Sequence, residues 1–222
     1  MGGKYYNEGW FGKRLALYET ASRLLEPMRS RAVDLLGAMR LKVLDLATGT
    51  GALALSLARA GHEVVGIDLD LTMVKRALRK LSPELSLRFL HGDATALPFG
   101  SGSFDAATMS FALHDVPHAV ALGILAEARR VLRPGGPLVI LDYRDVNGRL
   151  APRILRQVAL LYESPNYRAF VRRHTAGTLE SAGFRVTGRS TLLGAIQLIV
   201  GRSAPVSPPP QRSGWARGQS SK

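Results

Sequence analysis

The chain has 222 residues, 46% of them apolar and 21% charged, enough for one well-cored domain and too apolar for wholesale disorder. It has no cysteine, which excludes disulfides, thiolate metal sites, iron–sulfur clusters and thiol nucleophiles. Thirty Lys and Arg against 17 Asp and Glu give a net charge of +13, but the basic residues are scattered, which argues for a basic soluble surface over a nucleic-acid footprint without excluding the latter.

In chain order, residues 1–40 read as an amphipathic helical cap, with Leu17, Ala21, Leu24 and Met28 at helical spacing and Pro27 at a first helical position. Its aromatics (Tyr5, Tyr6, Trp10, Phe11, Tyr18) either pack the cap onto the body or wall a substrate pocket. From Leu41 strands and helices alternate: strands at Val43–Leu46, Val64–Ile67, Leu87–Leu90, Phe104–Met109 and Leu138–Leu141, and helices at Gly51–Ala60, Thr72–Leu81 and Ala119–Leu132. Thr72 is a candidate N-cap, and Arg133-Pro-Gly-Gly136 marks a helix end. Such alternation predicts a parallel sheet with helices on both faces. Residues 150–162 and 166–182 read as helices. Phe184–Ser190 and Ile196–Val200 lie too close for a parallel crossover, so they are expected to pair as an antiparallel hairpin beside the sheet. The resulting expectation is an α/β, Rossmann-like, seven-stranded sheet over 41–202, followed by a Pro/Arg/Ser-rich tail, 203–222, unable to order itself. No apolar run is long enough to span a membrane and the start lacks a signal-peptide core, so a cytoplasmic protein is expected, with peripheral membrane contact and oligomeric state left open.

Chemistry concentrates at the strand ends. Val43-Leu-Asp-Leu-Ala-Thr-Gly-Thr-Gly51 is a buried strand running through a glycine-rich turn into a helix, where backbone can approach a ligand closely and unpaired helix N–H groups face it. Gly49-Thr-Gly-Ala-Leu-Ala54 also fits a dinucleotide fingerprint, and Asp68, 19 residues after Gly49, would accept from ribose hydroxyls under either reading. Asp93 at the end of the third strand, with the Ala94 N–H beside it, can read an adenine edge. Three acids (Asp45, Asp68, Asp93) at or near successive strand ends are hard to explain as solvated surface.

These segments, together with Gly66-Ile-Asp-Leu-Asp70, Gly92–Phe99, Phe104–Leu113 and Val131-Leu-Arg-Pro-Gly-Gly136, resemble in order and spacing the motifs of class I S-adenosylmethionine-dependent methyltransferases over about residues 41–200. The flavour is similar to the small-molecule branch that includes the ubiquinone/menaquinone-biosynthesis C-methyltransferases. The resemblance implies S-adenosylmethionine as cofactor. Ala47, Thr48 and Gly49 would hold its methionine portion, with Asp45 near the amine and Ser110 by the tail. Asp68 would bind ribose, Leu69 would line the adenine face, and Asp93 with Ala94 would read the adenine edge. Ala47 stands where many relatives have glycine.

The acceptor is expected to be a small, hydrophobic or aromatic molecule such as a quinone precursor. Ser110-Phe-Ala-Leu is not the Asp/Asn-Pro-Pro-Tyr stretch of amino-methylating DNA enzymes, and there is no cysteine for pyrimidine C5 attack. A base is needed only if the acceptor loses a proton. His114 and Asp115, after the fourth strand, are the candidates, with Tyr143 positioning the acceptor; a loop histidine and a capping aspartate are the plain alternatives. His114 and His118 are four apart, but Pro117 interrupts any shared helix and no third ligand is evident, so no metal site is expected. The competing functions are a nicotinamide-dependent oxidoreductase, which the Asp93 motif argues against, and a non-catalytic cofactor- or nucleic-acid-binding module.

Overall fold

A computed structural model describes residues 25–144, 166, 169–170, 175–192 and 196–203. The first 24 residues, the helix expected at 150–162, most of the first half of that expected at 166–182 and the tail from 204 lie outside the described residues.

The apolar runs become strands where their flanking turns allow. Helix α1 (Glu26–Asp34) opens with Pro27 in its first turn, where a missing N–H costs nothing. There follow β1 (Lys42–Leu46), α2 (Ala52–Arg59), β2 (Glu63–Asp68), α3 (Leu71–Leu78), β3 (Leu87–His91), β4 (Ala106–Ser110), a single 3₁₀ turn (Leu113–Asp115), α4 (His118–Val131), β5 (Pro137–Tyr143), α5 (Thr175–Ser181), β6 (Phe184–Leu192) and β7 (Ile196–Ser203). Two details differ from the expectation. Phe104 precedes the fourth strand and makes only an isolated parallel bridge to Leu132. The N-cap of α3 is Asp70, not Thr72: its carboxylate accepts from the Thr72 and Met73 N–H groups, and two residues earlier is where a cap must stand to reach them.

The sheet order is β3-β2-β1-β4-β5-β7-β6. The first five strands are parallel, and β7 runs antiparallel to both β5 and β6, as the short link between the last two requires. Side chains alternate between two cores. Leu44, Leu46, Leu138 and Ile140 face α4 and α5 with Leu125, Ala128 and Leu179. Val43, Val139 and Leu141 face α1, α2 and α3 with Met28, Leu57 and Ala77. The strand order reverses between β1 and β4, and the carboxyl ends of those strands open the crevice in which such sheets bind ligands. Among the described residues no helix is long and apolar enough to cross a membrane.

Candidate active site

The turn leaving β1 is built on left-handed backbone: Ala47 has φ 50°, Gly49 φ 55° and Gly51 φ 77°. Gly51 is the N-cap of α2, and no side chain caps that helix. Gly51 must also lack a side chain for packing, since a Cβ there would lie 2.5 Å from the Phe89 ring. Beneath the turn, Asp45 is fully buried and its two oxygens accept from the Thr48 and Thr108 hydroxyls, each at 2.6 Å. Thr108 is its cross-strand neighbour on β4. Asp45 thus tethers the turn to β4 through Thr48. Burial pushes its carboxyl up to about 6, against the two threonine hydroxyls, which pull it down.

Asp68 ends β2 beside this turn. Its Oδ2 accepts from the Gly49 N–H at 2.6 Å and its Oδ1 from the Asp70 N–H at 2.9 Å. Burial raises its pKa while those two N–H groups lower it. An ionised carboxylate has about four lone-pair positions, so two acceptor sites remain for vicinal hydroxyls. Leu69 is 41% exposed next to it. Across β3, Asp93 is exposed, and its Oδ1 accepts from both the N–H and the hydroxyl of Thr95, fixing a turn with the half-buried Ala94 inside it. Hydroxyl and amine acceptors along the β2 and β3 ends, with an uncapped helix start on a glycine turn, form the donor–acceptor set a nucleoside bearing an amino-acid tail requires.

The second half of the site follows β4. Ser110 is half-buried at its end. Phe111 adopts φ 51°, a costly conformation for a large side chain, held by its N–H donating to the Leu141 carbonyl at 2.7 Å. The 3₁₀ turn then buries His114 and Asp115. His114 Nδ1 lies 2.7 Å from Asp142 Oδ1, and Nε2 lies 3.4 Å from Asp115 Oδ2. Tyr143 stands edge-on to the imidazole, 4.7 Å between centroids, and Phe170 lies 6.2 Å away. Beside this turn lies a cavity of about 210 Å³ lined by Leu113, Val116, Pro117, Ala121, Phe170 and Thr178 among others.

The structure therefore gathers the expected residues into two groups at one sheet edge. Asp45, Ala47, Thr48, Gly49 and Asp68 surround the β1 turn, with Leu69, Asp93 and Ala94 along the neighbouring strand ends. Ser110, His114, Asp115 and Tyr143 gather beyond β4. Asp45 touches the cleft only through Thr48, so it supports the turn and presents no open oxygen to an amine. Asp142 escaped the sequence reading. It sits inside an apolar strand, and its partner is 28 residues away, brought near only by the pairing of β4 with β5.

A methyltransferase-domain family model matches residues 43–136. The chain is 46% identical over 136 residues to a demethylmenaquinone methyltransferase of Thermus thermophilus, covering 57% of this chain and 60% of that protein. It is 36% identical over 187 residues to the ubiquinone/menaquinone biosynthesis C-methyltransferase UbiE of Syntrophotalea carbinolica, covering 75% of this chain and 77% of that protein. The chain belongs to this family of class I S-adenosylmethionine-dependent methyltransferases. A 47% identical match to the demethylmenaquinone methyltransferase of Beutenbergia cavernae is shorter, 52% of this chain and 46% of that protein, so the chain matches about half the length of several of these relatives. The fold is shared with human N-acetylserotonin methyltransferase in complex with its cofactor (TM-score 0.67, 20% identity, 87% of this chain and 56% of that one) and with a methyltransferase of Methanosarcina mazei (TM-score 0.62, 20% identity, 78% and 97%). Within the family, the β1 turn, Asp68 and the Asp93 loop fit S-adenosylmethionine by the chemistry of their donors and acceptors.

Proposed function

We propose that this methyltransferase alkylates a ring carbon of a small hydroxylated aromatic acceptor, a reduced quinone precursor of the demethylmenaquinone type. The observation that carries the reading is the double grouping at one crevice. A rim of hydrogen-bond acceptors lies at the ends of β1–β3, and a buried acid–imidazole cluster lies beyond β4. The acceptor class is supported by the activity named for the relatives 36–46% identical to this chain.

S-adenosylmethionine supplies a methyl group already activated by its sulfonium. The protein's own work is to hold the adenosine on Asp68 and Asp93, to aim the acceptor, and to move protons. A hydroquinone carbon becomes nucleophilic as the neighbouring hydroxyl gives up its proton. The O–H electron pair is delocalised into the ring, the new C–C bond would form as the methyl–sulfur bond breaks with its electron pair staying on sulfur as a neutral thioether, and the carbon then loses its own hydrogen as a proton to restore aromaticity. His114 with Asp115 is the proton acceptor we assign to this sequence: it takes the hydroxyl proton and a proton is returned to that oxygen as the ring carbon loses its own, so that one proton leaves to solvent for each methyl transferred. Tyr143 and Phe111, whose rings meet edge-on at 5.4 Å, flank the place of the acceptor ring.

The test is transfer of labelled methyl from S-adenosylmethionine to chemically reduced demethylmenaquinone in detergent, with mass spectrometry of the product. Carbon-bound label is the expected result. Protein that binds the cofactor yet labels neither this quinol nor its shorter-chain analogues would overturn the acceptor assignment.

A further inference from the structure

Among the described residues, Asp142 is the acidic side chain of this cluster that the mechanism above leaves idle. It is fully inaccessible, on the face of β5 that Leu138 and Ile140 use to fill the core. A carboxylate there loses several kcal/mol of hydration and survives only if densely hydrogen-bonded. Its Oδ2 accepts from the Leu113 N–H at 3.0 Å. Its Oδ1 accepts from the Tyr143 N–H at 2.7 Å and lies 2.7 Å from His114 Nδ1. An ionised carboxylate only accepts, so Nδ1 carries a hydrogen and donates it. Tyr143 stands edge-on to the ring and Phe170 lies 6.2 Å from it between centroids.

We propose that Asp142 is the positioning residue of the base: it fixes His114 as the Nδ1–H tautomer, so that proton exchange with the acceptor runs through Nε2 and Asp115. The proposal rests on the reading that a hydroxylated acceptor is deprotonated. It goes beyond that reading by assigning a division of labour. Asp142 never meets the acceptor. Asp115 Oδ2, 3.4 Å from Nε2, lies on the exchanging side. Among the described residues the titratable groups facing the ring are Asp142 and Tyr143 from β5 and Asp115 from its own turn. A mere anchor for the 3₁₀ turn would need only the bond to the Leu113 N–H, which a neutral amide oxygen can also accept.

That difference sets the experiment. Asp142→Asn retains an acceptor oxygen and removes the charge. In ¹H–¹⁵N spectra of the full chain, wild type should show a slowly exchanging, strongly hydrogen-bonded Nδ1–H from His114, absent in His114→Gln and lost or shifted upfield in Asp142→Asn. With reduced demethylmenaquinone, Asp142→Asn should lower kcat on the order of 100-fold, displace the acidic limb of the kcat profile, and leave the affinity for S-adenosylmethionine unchanged. Asp142→Glu, which restores charge at a longer reach, should recover part of the loss. A wild-type ring protonated at Nε2 alone would overturn the proposal, whatever the variants do. So would an Asp142→Asn enzyme with wild-type kcat and pH profile. A wild-type protein that shows the Nδ1–H resonance but methylates no quinol would leave the tautomer lock standing and overturn the acceptor reading instead.

Discussion

Asp68 carries two duties that one substitution must not confuse. Its carboxylate holds the Gly49 and Asp70 N–H groups and, in the proposed function, would offer its remaining lone pairs to ribose. Truncation to Ala would leave two N–H groups without their acceptor, at about 1–3 kcal/mol each, and weaken the fold together with the site. Asp68→Asn keeps one acceptor oxygen and is the cleaner probe. It should weaken S-adenosylmethionine binding about 10- to 100-fold by titration calorimetry, the worth of one or two hydrogen bonds to a charged group, while a folded circular-dichroism spectrum persists. Ala47 makes the opposite case. An alanine at φ 50° bears a left-handed penalty of about 1–2 kcal/mol, part of which glycine returns as extra freedom in the unfolded chain. Ala47→Gly should raise the urea midpoint by the equivalent of about 0.5–1 kcal/mol; a lower midpoint would mean that the methyl group packs usefully in the turn.

At the scale of elements, α4 does more than cover the sheet. Glu127 Oε2 accepts from the Leu97 N–H at 2.8 Å, and the Arg130 guanidinium donates to the Phe99 and Leu97 carbonyls at 2.7 and 3.0 Å. The two side chains also pair with each other at 2.6 Å, and the Arg130 hydrogen bond holds the Glu127 carboxyl below its usual range. The loop that carries Asp93 away from β3 is thereby clamped to the helix that begins beside the 3₁₀ turn. Arg130→Ala should lose amide-exchange protection at Leu97, whose N–H is held by the Glu127 carboxylate that Arg130 braces, and weaken cofactor binding severalfold. Arg130→Lys should rescue little, because an ammonium cannot reproduce the planar fork. Nothing local in the sequence marks this pair as a clamp, since the backbone it grips lies some thirty residues earlier. The strands themselves were legible to within about three residues, because most carry a short apolar run. The hairpin was legible too, because no crossover fits between Ser190 and Ile196. Asp70 and Thr72 are both good caps by type, and only distance to the helix N–H groups chose between them. The strain at Ala47 and Phe111, and the role of Asp142, depend on tertiary juxtaposition and left no local signal.

At the scale of the whole molecule, buried titratable groups on one side of the sheet and at its two ends pull stability in opposite directions with pH. Asp45 and Asp68, at the ligand end, are raised by burial, so the folded state holds their protons more tightly than the unfolded chain. The contribution of Asp45 is fully present below about pH 4 and is lost as pH rises through about 6, and that of Asp68 is lost in the same direction. His62, at the opposite end of β2, is buried, accepts the Leu41 N–H on Nδ1, and is lowered by burial. Its contribution is present above about 6.5 and is lost as pH falls, because the unfolded imidazole takes the proton first. The two trends oppose each other across the mildly acidic range and flatten the profile. Asp45→Asn separates them. A carboxyl moved from 3.8 to about 6 corresponds to about 3 kcal/mol of penalty for ionising it at neutral pH, which the amide never incurs. Relative to wild type, the variant should therefore become more favourable by about 2–3 kcal/mol between pH 4 and pH 7 in urea unfolding, whatever its absolute stability, with Asp68 alone then opposing His62 in its own curve. A difference between variant and wild type that is constant over that range would show that Asp45 titrates as an ordinary exposed acid, and that its buried bridge between Thr48 and Thr108 opens to water in solution.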